Sequence, residues 1–293
     1  ISLGGLPPRQ GRMPLGHEPS GEVVEVGGDV TGISVGDHVV INPMAAPSGI
    51  IGNGGATGGL ADYLLIEQAV RGKSLEVVPK HIPFSVAALN EPMAVARHAV
   101  NQAGTNPSDK VVVFGAGPIG LGATIGFKSV GVQHVVVVDL IASRLEKALR
   151  VGADAVINSA DEDVAQRLIE LHGAGESMFP GRAATDIYLD AAGAPAVITT
   201  ALTAAKRGAK VVVVALHKEP VPVDFLNVMS NEVTVVGSMG YPDEIFEVTK
   251  DIVANWEKYA VIVSHTYAFD DVQEALRTAA TPGIADKVVV TFD

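Results

Sequence analysis

The sequence predicts an α/β chain of two domains, a compact β domain followed by a doubly wound parallel sheet. Three observations carry this. The chain has 293 residues, enough for two domains or for one domain split around another. Up to about residue 100 it is rich in Gly and Pro, with short apolar runs between turn signals. From Lys110 the texture changes to continuous Val/Ile runs alternating with helical stretches.

In the first part the candidate strands are GEVVEVG (21–27), DHVVINP (37–43) and ADYLLIE (61–67). The stretches GGDVTG, SVGD and GNGGATGG separate them, and the set reads as a barrel or sandwich. In the second part VVVF (111–114) precedes a helical stretch at 118–130, and VVVVD (135–139) precedes another at 143–151. AVIN (155–158) precedes a polar helical stretch at 161–173. DIYLDAAG, VVVVA (211–215) and EVTVVGS (232–238) complete the βαβ series. A helix at 243–257, an apolar run at 261–269, a helix at 270–280 and an edge strand at 287–292 follow.

Composition narrows the function. Net charge is −12 and no Lys/Arg-rich run exists, which argues against a nucleic-acid or anionic-membrane partner. No apolar run approaches the roughly 20 residues that cross a bilayer. There is no cysteine, so no disulfide and no thiolate ligand comes from these residues. A cytoplasmic location is the default expectation.

Two motifs carry chemistry. Gly115, Gly117 and Gly120 form G-x-G-x-x-G between a strand and a helix. There the first glycine permits the turn, the second lets backbone approach a pyrophosphate at the helix N-terminus, and the third permits close helix–sheet packing. Asp139 ends the next strand, roughly 20 residues after Gly120, where a carboxylate accepts the adenosine ribose hydroxyls. It would repel a 2′-phosphate, so NAD is favoured over NADP; Arg144 suits stacking on the adenine. The second motif is PLGHEPSG (14–21), with His17 and Glu18 on a Gly/Pro corner. Alone, His17 reads as an ordinary hydrogen-bonded turn residue, and Glu91 before Pro92 as a helix N-terminal residue.

The ordered set LGHEPSG, GDHV, GGLADYLLI, NEPMAVARHAV, VVVFGAGPIG with Asp139, DAAG, VVGSMG and KVVV resembles the medium-chain, zinc-dependent alcohol dehydrogenase superfamily. The nearest-looking members are the sorbitol, 2,3-butanediol and threonine dehydrogenases. The resemblance implies a GroES-like β domain, 1–92 with 241–293, and an inserted Rossmann domain, 93–240. It assigns His17, Glu18 and Glu91 to catalytic zinc, and Gly115, Gly117, Pro118, Ile119, Gly120, Asp139 and Arg144 to the cofactor. It places Val95, Val214, Leu216 and Ser238 around the nicotinamide. The implied reaction is hydride transfer between a small-molecule secondary alcohol or polyol and NAD, in a homo-oligomer, dimer or tetramer. The family's upstream cysteine ligand and four-cysteine zinc lobe have no counterpart here. An N-terminal piece and a loop near Pro47 to Ile51 are therefore expected to be absent. Two competing readings are a zinc-free, NADPH-dependent quinone or enoyl reductase of the same fold, and a non-catalytic NAD-binding scaffold. His17, Glu18, Glu91 and Asp139 oppose the former. Of the other histidines, His38, His81, His134 and His172 read as loop or solvent-facing, His98 as packing, and His217 as a strand-end residue near the cofactor.

Overall fold

The structure is a computed structural model describing residues 13–292. It divides into two compact units, one formed by the chain up to Ala94 together with the segment from Asp243, the other by Val95–Pro242.

The first unit opens with three short antiparallel strands, β1 (Ser20–Glu22), β2 (His38–Ile41) and β3 (Leu75–Val78), in the order β1-β2-β3. Val39 lies opposite Gly21 on one side and Val77 on the other. Ile33, Val39, Ile41, Ile51 and Leu75 make its core. Two expected strands are thus shorter than their apolar runs. The third, 61–67, is not a strand. Its alternation is nevertheless real: Leu64 and Ile66 pack on the core, while Tyr63 and Leu65 are 78% and 74% exposed. Period-2 patterning records which face is apolar; it does not supply a neighbouring strand to complete a ladder. β3 was not expected, because Pro79 cuts its run short. Two helices follow, α1 (Phe84–Ala87) and α2 (Asn90–Ala103), of which Asn90–Ala94 belong to this unit.

The second unit is a six-stranded parallel sheet. In chain order its elements are β4 (Lys110–Phe114), α3 (Pro118–Ser129), β5 (His134–Asp139), α4 (Ala142–Val151), β6 (Ala155–Asn158) and α5 (Val164–His172). Then come β7 (Ile187–Asp190), α6 (Pro195–Ala204), β8 (Lys210–Val213), α7 (Phe225–Ser230) and β9 (Thr234–Gly237). The strand order β6-β5-β4-β7-β8-β9 reverses direction between β4 and β7, the doubly wound arrangement in which ligands bind at the carboxyl ends of the strands. Val111–Val113 and Val135–Val137 are fully buried, as β-branched strands covered on both faces must be. Each such side chain contributes roughly 1.5–3 kcal/mol of burial, so the sheet centre is the most firmly held part of the unit.

The chain returns to the first unit as α8 (Glu247–Ala254), α9 (Trp256–Ala260), β10 (Val263–Ala268), α10 (Val272–Ala280) and β11 (Lys287–Thr291). The single helix expected at 243–257 starts later and breaks at Asn255, whose amide bonds back to the Asp251 carboxylate at 2.9 Å. β10 and β11 pair in parallel. Among the described residues no helix is long and apolar enough to cross a membrane.

Candidate functional site

His17 follows Gly16, which has φ +82° and a Cβ position 2.6 Å from the Leu60 nitrogen. Both the left-handed backbone and the lack of space demand glycine there, and together they fix how the corner presents His17. Glu91 lies in the first turn of α2, where the helix dipole favours a carboxylate. Its neighbour Asn90 is buried and clamped: its amide donates to the Ile245 carbonyl at 2.7 Å, and its side-chain oxygen accepts from Thr249 Oγ1 at 2.7 Å.

These elements bring His17 Nε2 within 3.9 Å of Glu18 Oε1 and 3.7 Å of Glu91 Oε2. One ligand atom from each of the three residues lies within 4.8 Å of the others. Ligands 2.0–2.2 Å from a tetrahedral zinc stand roughly 3.3–3.6 Å apart, so the nitrogen-and-carboxylate set fits a small divalent cation after slight closure. Burial, opposed by the Glu18 charge and reinforced by Lys287, lowers the His17 pKa and favours the neutral imidazole, the form that binds metal. His17 and Glu18 also border an open groove of about 2370 Å³ in this unit.

The second unit carries the glycine turn. Gly115 has φ +96°, and its Cβ position lies 3.1 Å from the Ala191 carbonyl. A Cβ on Gly120 would sit 1.7 Å from the Gly115 oxygen, so helix and turn touch backbone to backbone. At Gly117 a Cβ would meet nothing within 4 Å, which leaves an open approach. Pro118 and Ile119 start α3, whose N-terminus has no side-chain cap. The Asp139 carboxylate accepts from Ala116 N at 2.7 Å and from Ile141 N at 2.9 Å, so it braces the turn beside the ribose position it was expected to serve. Arg144 is half-buried in α4. Val214 and Leu216 follow β8, and Ser238 follows β9 with a buried Oγ that has no partner among the described residues. These residues lie on loops at the carboxyl ends of the strands; Val95, on α2, does not. A cradle of this shape suits a dinucleotide pyrophosphate.

Comparison with known proteins decides the family. The model for the alcohol dehydrogenase GroES-like domain matches residues 3–74, and that for zinc-binding dehydrogenases matches 118–255. The chain belongs to the zinc-binding alcohol dehydrogenase family. It is 32% identical to the (R,R)-butanediol dehydrogenase of Bacillus subtilis over 78% of this chain and 66% of that protein. It is 30% identical to the sorbitol dehydrogenase of Ovis aries over 96% and 81%. The chain thus spans about two thirds of that butanediol dehydrogenase. Among solved structures, the 2R,3R-butanediol dehydrogenase of B. subtilis gives a TM-score of 0.81 at 28% identity, covering 94% of this chain and 80% of that one. A protein described as a short chain alcohol dehydrogenase from E. coli CFT073, complexed with NADH, gives 0.79 at 26% identity over 95% and 83%.

Three features of the sites were not anticipated. Lys287 Nζ pairs with Glu18 Oε2. Asn90 anchors the helix turn that presents Glu91. Asp190, in the DAAG stretch, is buried; it accepts from Ala192 N and Gly193 N and lies 2.7 Å from His217 Nε2. Only the last had a sequence signal, the Asp before a glycine turn. Three histidine expectations are corrected. His134 opens β5 and is half-buried, neither in a loop nor facing solvent. His38 lies in β2 and stacks on Phe84, with ring centroids 4.3 Å apart. His172 is buried, 2.7 Å from Thr185 Oγ1 and 3.1 Å from His134 Nδ1.

Proposed function

We propose that this chain is a zinc- and NAD-dependent dehydrogenase that transfers hydride between a secondary alcohol or polyol and NAD. The convergence of His17, Glu18 and Glu91, in a family member that also carries the glycine turn and Asp139, supports this reading most directly. Zinc, when bound, supplies the charge that acidifies an alcohol hydroxyl, and NAD supplies the hydride acceptor. The chain's own residues do the rest. His17 offers a neutral nitrogen, Glu18 and Glu91 offer negative charge, and the Gly16 and Asn90 contacts fix where those atoms stand. The uncapped N-terminus of α3 accepts the pyrophosphate, and Asp139 receives the ribose hydroxyls while repelling a 2′-phosphate.

The substrate class follows the relatives, which are named for butanediol and sorbitol. The test is NAD reduction by (R,R)-2,3-butanediol and by sorbitol, before and after chelation and with zinc restored. Activity lost on chelation and regained with zinc supports the reading. Turnover that survives chelation and prefers NADPH contradicts it.

We also propose a homo-oligomer paired through β9. Among the described residues β9 pairs with β8 alone, and the outer edge of the sheet carries Val235, 52% exposed, near Met239, 82% exposed. An unpaired apolar edge is a template for a second copy. Sedimentation of wild type and a Val235→Pro variant, whose lost N–H faces the outer edge, tests it, with a monomeric variant expected. The cytoplasmic location is part of the same proposal and is tested by fractionating source cells.

A further inference from the structure

Lys287 stands 269 residues after Glu18, yet its ammonium pairs with the Glu18 carboxylate. The lysine is held in place. It opens β11 opposite Val263, its carbonyl accepts from Ser264 Oγ at 3.1 Å, and the preceding Asp286 N donates to the same hydroxyl at 2.9 Å. Its side chain is only 18% exposed and that of Glu18 24%, so the pair is poorly screened by water. The two carboxylate oxygens have separate neighbours: Oε2 meets Lys287, and Oε1 faces His17.

We propose that Lys287 is a positioning residue for the metal centre: it occupies one oxygen of Glu18, so Glu18 offers the cation a single oxygen and holds it less tightly than an unpaired carboxylate would. This rests on the zinc reading given above. A cation entering beside His17 meets a carboxylate whose charge is already partly balanced. Lys287 therefore sets both the denticity of Glu18 and the strength of metal retention.

The test is zinc affinity, measured by competition with a chromogenic chelator at fixed pH and ionic strength, with NADH affinity as the check that each protein is folded. Lys287→Met should bind zinc about tenfold more tightly than wild type, with Lys287→Gln run beside it as a second neutral replacement. Lys287→Arg, which keeps the charge and the pair, should stay within about twofold. In a Glu18→Gln background the effect of Lys287→Met should shrink below about twofold, because the lysine acts through that carboxylate. Unchanged or weaker zinc binding in both neutral variants overturns the proposal, as does an equal gain in the Glu18→Gln background. Wild type that binds NADH and no zinc overturns the metal reading itself, and this proposal with it.

Discussion

The two units assemble their chemistry by opposite means. In the inserted sheet the ligand-facing groups are mostly backbone: a turn forced by Gly115, a helix start at Pro118, and one carboxylate bracing Ala116 N. In the first unit they are side chains gathered from residues 17, 18, 91 and 287. A backbone cradle is written locally, because its glycines, strand and acid fall within one βαβ stretch. A side-chain centre is written across the whole domain and depends on every element that orients it.

The strongest test of this division is His17→Ala. It should lower zinc affinity on the order of 10³-fold, since it removes a ligand outright, while NADH affinity is unchanged. Equal loss of both, measured by chelator competition and by fluorescence, would break the comparison. Gly120→Ala is the converse. Its Cβ would sit 1.7 Å from the Gly115 oxygen, so the turn must move. NADH affinity should fall about 100-fold with zinc uptake intact.

Asp139→Gly combined with Leu140→Arg sharpens the picture. Removing the carboxylate and adding a guanidinium should shift the NADP-to-NAD preference by roughly 10- to 100-fold toward NADP. An unchanged ratio would leave Asp139 only its bracing of Ala116.

How much was readable follows the same line. The inserted sheet was legible almost strand by strand, because runs such as VVVF and VVVVD fill buried parallel strands with residues that suit nothing else. The β domain was legible in face but not in pairing. Leu64 and Ile66 point inward as alternation implies, yet no ladder forms at 61–67. His17, Glu18 and Glu91 were found through the ordered motifs. Lys287 and Asn90 were not, because an ion pair across 269 residues and a clamp across 155 leave no local pattern. His172 was misread because a polar helix end gives no sign that Thr185 and His134 close over it.

That buried histidine gives the narrowest prediction, and one confined to the second unit. Burial first, then the neighbouring His134 and Lys110, depress its pKa from 6.5 to about 4. The unfolded chain therefore takes up the proton first as pH falls. Stability is full above 6.5 and declines between 6.5 and about 4, by about 3 kcal/mol. His172→Gln should flatten that part of the urea-denaturation pH profile; an unaltered slope would assign the acid sensitivity elsewhere.

The most direct measurement is an anomalous-scattering map recorded at the zinc edge on crystals of the zinc-loaded protein. A single peak about 2.0–2.2 Å from His17 Nε2 and from oxygens of Glu18 and Glu91 is the predicted result. A peak elsewhere, with His17 bound to no metal, would contradict it.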